Sequence, residues 1–169
     1  MRWASAGVMV LLMGVVVTGQ ETTAGWTKYS SDDANVAILF PGKPQVNDTK
    51  GGKEVLFETK NGKVAYMLRF DPFPANIDPA DADLVDRVFD GVKSGLKKSG
   101  GTIKKEKQFK VNKKYPGLEI DATSGPIPDH KIKVIITEKW LIQVHAGGTK
   151  GTPTTEDSLL FLNSFLLKE

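Results

Sequence analysis

Glu54-Val-Leu-Phe-Glu-Thr-Lys-Asn-Gly-Lys-Val-Ala-Tyr-Met-Leu-Arg-Phe70 sets two alternating arms around Asn61-Gly62. Asn-Gly is the strongest short hairpin signal, because a type I′ turn needs positive φ at both central residues. The arms run over Glu54–Lys60 and Lys63–Phe70. With side chains alternating between faces, Val55 and Phe57 reach the core from the first arm, and Val64, Tyr66, Leu68 and Phe70 from the second. The centre of the chain therefore reads as an antiparallel pair.

Upstream, Trp26–Ser30 and Val36–Phe40 read as strands, the second with Val36, Ile38 and Phe40 on one face. Pro41-Gly42-Lys43-Pro44 stops it, since proline lacks a ladder donor, and the stretch on to Lys53 reads as an exposed loop. Downstream, Asp71–Pro79 is a rigid connector. Asp78 is placed to cap a helix with Pro79 at its first position, where no donor is needed. The helix runs to about Ser99, with Leu84, Val85, Val88, Phe89, Val92 and Leu96 as one apolar stripe. Gly100-Gly101 ends it by supplying a left-handed residue.

Ile103–Val111, Gly117–Thr123, Lys131–Thr137 and Trp140–His145 read as further strands, the last two joined tightly through Glu138-Lys139 and so antiparallel. Beyond the Gly147–Pro153 loop, Thr154 or Thr155 can cap a short helix carrying Leu159, Leu160 and Leu162, and Ser164–Leu167 reads as an extended tail. The fold class is α+β: a mainly antiparallel sheet with a long mid-chain helix and a short C-terminal helix.

Residues 1–19 carry a different signal. Arg2 leads into the uncharged run from Gly7 to Val17, and Thr18-Gly19-Gln20 follows. A positive head, an apolar middle and a small residue before a polar segment are the parts of a cleavable secretory signal, with cleavage after Gly19 or as late as Ala24. An uncleaved anchor would call for a basic stop-transfer cluster, and Gln20-Glu21-Thr22-Thr23 is not one. Residues 25–169 then form a single domain, large enough to bury roughly 70% of its unfolded surface. The chain has no cysteine, which rules out disulfides, thiolate metal sites, thiol catalysis and a lipoprotein acylation site. Export without disulfides points to a bacterial periplasm or the extracellular space, with no stable membrane span once the signal is removed.

Charge is segregated more than it is unbalanced. The formal net charge is only +3, one unit of it from Arg2. Asp71, Asp78, Asp81, Asp83, Asp86 and Asp90 precede Lys93, Lys97, Lys98, Lys104, Lys105, Lys107, Lys110, Lys113 and Lys114. Acids early and lysines late in a helix follow its dipole, and lysines on both faces of a strand mark a sheet edge that resists pairing. The alternative is a patch for a protein partner or an acidic envelope component, centred on Lys97, Lys98, Lys104, Lys105 and Lys107. Nucleic acid is a poor fit, because stacking aromatics are not interleaved with these lysines.

Chemistry-bearing motifs are incomplete. His130 and His145 are the two available histidines; Asp129-His130 reads as an exposed loop pair and His145 as a satisfied strand-end residue. No Gly-x-Ser-x-Gly occurs, and Ser124-Gly125-Pro126 reads as a turn. Asp32-Asp33 and Asp81-x-Asp83 lack the calcium-loop pattern, and Gly147-Gly-Thr-Lys-Gly-Thr152 fails the phosphate-loop spacing. No catalytic residue, metal site or cofactor is assigned, and oligomeric state is left open.

The Trp26-Thr-Lys-Tyr-Ser start, Val36-Ala-Ile-Leu-Phe-Pro-Gly-Lys-Pro44, the mid-chain helix, Tyr115-Pro-Gly-Leu-Glu and the closing Phe161-Leu-Asn-Ser-Phe-Leu166 resemble the PsbP-like fold over nearly the whole mature chain. The resemblance implies an α/β/α-like sandwich and an accessory role, since the fold's known members are not typically enzymes. It transfers no site residues. The expected function is a non-catalytic exported accessory or binding domain. The alternatives are a small hydrolase built from Asp129, His130 or His145, and a photosystem-associated structural subunit.

Overall fold

In the computed structural model, residues 25–124 and 128–168 are described; the export segment read at 1–19 lies outside them. The elements are β1 (Thr27–Ser31), β2 (Val36–Phe40), β3 (Gln45–Asp48), β4 (Lys53–Glu58), β5 (Val64–Pro72), α1 (Ala82–Lys98), β6 (Thr102–Val111), β7 (Tyr115–Thr123), β8 (Asp129–Ile136), β9 (Trp140–Gly148), α2 (Glu156–Asn163) and β10 (Leu166–Leu167). Seven strands form one antiparallel sheet in the order β3-β4-β5-β9-β8-β7-β6, and β1-β2-β10 form a second, smaller one.

The alternating pattern places a separate core on each face of the large sheet. Leu118, Ile120, Ala122, Ile132, Val134 and Ile136 pack under α1 through Val85 and Phe89. Val55, Tyr66, Leu68, Phe70, Ile142 and Val144 pack on the opposite face against the small sheet and α2. Each face carries its own apolar cluster, so the α+β expectation holds, with the second helix sharing its layer with three short strands.

Local chemistry moves several boundaries. The β4–β5 register follows the alternation as read, with Val55 opposite Leu68 and Phe57 opposite Tyr66. The turn differs, because only Gly62 has positive φ there. Gly62 N donates to Thr59 O, and the Asn61 side chain accepts from Thr59 Oγ1 at 2.8 Å and Lys63 N at 3.1 Å. Those side-chain bonds hold a longer loop than a two-residue turn. Asn112 and Lys113 both have positive φ, and Lys114 N donates to Val111 O, so the I′-type geometry closes β6 onto β7 instead.

Gln45–Asp48 is an exposed strand on the sheet edge, where a loop was expected. The long helix starts later than Asp78 suggests. Asp78 accepts from Ala80 N in a preceding turn, while Asp81 is the true N-cap and accepts from Leu84 N at 3.1 Å. Its end follows the glycine rule: Gly100 has φ 82°, with Gly100 N donating to Lys97 O and Gly101 N to Leu96 O. The extended tail becomes β10, which pairs with β2.

Candidate functional site

The five lysines singled out above are distributed by the geometry of β6. This strand is the outer edge of the large sheet and pairs with β7 alone among the described residues. Glu106 lies opposite Ile120 and Gln108 opposite Leu118, so these side chains share the α1 face. Lys105 lies opposite Asp121 and Lys107 opposite Glu119 on the other face. The register shifts between Ile103 and Lys105, and Lys104 occupies that bulge.

Lys97 and Lys98, in the last turn of α1, therefore flank one side of the edge, and Lys105 and Lys107 the other. The structure makes a basic rim of them rather than a flat patch. Lys104 is engaged, its Nζ lying 2.7 Å from Asp129 Oδ1. That bond, joined by a 2.7 Å bond from Gly151 N, holds the Asp129 carboxyl below the usual carboxylate range.

Two neighbouring lysines, each paired with two carboxylates, decide which charges the rim presents. Lys93 bridges Asp90 at 2.9 Å and Glu106 at 3.6 Å, tying α1 to β6; the bond to Asp90 raises its pKa. These residues line a groove of about 790 Å³ that continues past Ser94, Lys97 and Thr102. Across the sheet, Lys131 lies 3.0 Å from Glu119 and 2.7 Å from Asp121. Burial opposes its charge, but Asp121 and Glu119 prevail and raise its pKa. The carboxylates opposite Lys105 and Lys107 are thus already engaged by a third lysine, and the two exposed ammonium groups face outward at the edge.

The histidines form a second cluster that the sequence reading missed. His130 lies in β8 and is 6% exposed, so it is not a loop residue. It continues the alternation of Ile132, Val134 and Ile136 onto the α1 face. His145 is opposite Ile132 on that same face, diagonal to His130. Their rings stack with centroids 4.8 Å apart, and His130 Nδ1 is 2.6 Å from His145 Nε2.

Ser124 Oγ lies 2.6 Å from His130 Nε2, completing a Ser–His–His chain. Burial, followed by the neighbouring His130, pushes the His145 pKa down to about 4. Asp129 points to Lys104 and Gly151, so the carboxylate of the hydrolase reading is tied elsewhere. The signal available in sequence was the period-two stripe, which extends one step back from Ile132 to His130.

No protein-family model matches the chain, and no curated protein does. Among solved structures, that of cyanobacterial PsbP from Synechocystis sp. PCC 6803 matches with a TM-score of 0.62 and 18% identity, covering 88% of this chain and 96% of that one. The fold is PsbP-like. A Pseudomonas aeruginosa protein of unknown function matches with a TM-score of 0.45 and 12% identity, covering 77% of this chain and 87% of that one. Among the described residues of this PsbP-like domain, no helix is long and apolar enough to cross a membrane.

Proposed function

We propose that the chain is an exported, non-catalytic accessory or binding domain of the bacterial cell envelope, engaging a protein partner or acidic surface through its basic rim. The observation that carries this reading is β6: a ten-residue edge strand with Lys104, Lys105, Lys107 and Lys110 exposed or at its margin, beside the lysine-bearing end of α1. The PsbP-like fold supports an accessory role, and Arg2 with the Gly7–Val17 run supports export.

The test is retention of the folded protein on a carboxymethyl matrix. Changing Lys97, Lys98, Lys105 and Lys107 together to glutamine is expected to abolish retention at low salt. Changing the exposed Lys43, Lys50, Lys60 and Lys150, which lowers the net charge of +3 by the same four units, is expected to leave retention measurable. Equal loss in both variants would overturn the reading. Lys104 is left in place so that Asp129 keeps its partner. Elution of the first variant at the wild-type salt concentration would also overturn the reading.

A second reading, a small hydrolase, is favoured by the Ser124–His130–His145 chain. With its proton on Nδ1, His130 donates to His145 and accepts the Ser124 hydroxyl proton at Nε2, the arrangement that activates a serine nucleophile. This reading expects a fluorophosphonate reagent to label Ser124 covalently, with loss of labelling in His130→Gln. Absence of label at Ser124 would exclude it.

A further inference from the structure

The open side of β6 has a chemical pattern of its own. Protein sheet edges are kept from pairing by shortness, lysines and bulges. The opposite edge, β3, is only four residues long. β6 has ten residues, and its bulge is confined to Ile103/Lys105. From Lys105 to Val111 the register with β7 is unbroken, a run of roughly 23 Å.

Along that run, the face away from α1 reads Lys105, Lys107, Phe109, Val111. The two lysines are exposed, and the two apolar residues are half-buried against the core. Phe109 lies over Gly117, where an added Cβ would come within 2.5 Å of the ring. The open edge is therefore basic at one end and apolar at the other, on a single face.

A strand laid outside β6 would place each side chain directly opposite one of these residues. Opposite charges across such a pair attract and like charges repel, so acids belong opposite Lys105 and Lys107 and apolar side chains opposite Phe109 and Val111. The acids on the inner side, Asp121 and Glu119, are held by Lys131 and do not satisfy the outer side. The lysines that repel a neutral or basic edge thus select for an acidic one.

Resting on the basic-rim reading above, we infer that the Lys105–Val111 edge takes up an extended acidic peptide as an additional antiparallel strand. Every existing neighbour in the large sheet is antiparallel, which sets the direction: from N to C, the ligand carries two alternating apolar residues and then two alternating acids. Main-chain bonds supply affinity in this mode, and the alternate side chains supply selection.

The probe is a labelled nine-residue peptide, Thr-Val-Thr-Val-Thr-Glu-Thr-Glu-Thr, titrated into the full chain at low ionic strength. An isomer with its two glutamates adjacent, and so on opposite faces, has the same charge. Fluorescence anisotropy is expected to show binding weakened about threefold by the isomer, which loses one cross-strand charge pair, and about tenfold by Lys105→Gln with Lys107→Gln, which lose both. Amide hydrogen exchange is expected to slow across Lys105–Val111 on peptide addition.

Equal binding of the isomer, without slowed exchange in β6, would overturn strand addition and leave the basic rim standing. If neither the peptide nor the carboxymethyl matrix retains the protein, the rim itself falls. Concentration-dependent dimerisation that slows β6 exchange without peptide would assign the edge to a second copy and overturn the inference.

Discussion

Replacing Phe161 with alanine is expected to cost about 3–5 kcal/mol, as for other fully buried aromatic side chains. Phe161 is completely buried. It projects from α2 into the gap between the two sheets, with its ring centroid 5.1 Å from Phe40 of the small sheet and 5.1 Å from Tyr66 of the large one. Truncation therefore opens a cavity touching three layers at once. The surroundings have little freedom to close it. Phe40 is fully buried in β2, and the Tyr66 hydroxyl accepts from Ser158 Oγ at 3.4 Å.

The measurement is urea unfolding: a lower midpoint with an unchanged slope, since the surface exposed on unfolding is similar. Leu159→Ala on the same helix is the control. Leu159 is 43% exposed, and its truncation is expected to cost under about 1 kcal/mol. Similar losses in the two variants would mean that α2 does not bridge the sheets. With total stabilities of about 5–15 kcal/mol for such domains, the Phe161 change takes a large share.

Where the sequence carries a strict period, it carries the architecture too. Val55, Tyr66, Leu68 and Phe70 reach the core as the hairpin alternation requires, and the apolar stripe of α1 buries Val85 and Phe89. Features set by competition between nearby polar groups were less legible. Asp78 and Asp81 are both good caps, and the choice fell to Asp81 because Asp78 closes the turn before it. Asn61-Gly62 has the composition of a I′ turn, yet the hydroxyl of Thr59 and the amide of Asn61 stabilise a longer loop.

The lysine rim was legible as composition and not as geometry. Its division between two sides follows from a single bulge at Lys104 and from strand parity, neither of which charge counting detects. The histidine cluster was hidden differently. Ser124, His130 and His145 come from separate segments, and the diagonal between β8 and β9 that joins the histidines exists only once the register is set.

That diagonal makes acid sensitivity the second large expected effect. His145 titrates at about 4 in the folded protein, against an ordinary value of 6.5. Between these values the unfolded chain binds the proton more readily, so stability attached to His145 is whole above about pH 6.5 and is lost as pH falls towards 4. The loss should reach about 2–3 kcal/mol near pH 4.5. The physical cause is first burial of the imidazole and then its neighbour His130, whose Nδ1 sits 2.6 Å from His145 Nε2. Charging both rings would set N–H against N–H at that contact.

Acid also weakens other interactions, because the carboxyls of Asp48, Asp129 and Glu138 are held low by lysine partners. The comparison must therefore be between chains and not between pH values alone. His145→Gln keeps a polar amide near the Nε2 position and cannot take up the proton. Urea unfolding at pH 7 and at about pH 4.5 is expected to show the wild type losing about 2–3 kcal/mol more than the variant over that interval. Equal losses would mean that His145 is already charged, or already solvated, in the folded state. The proton penalty would then have to be sought in the lysine–carboxylate pairs at the surface.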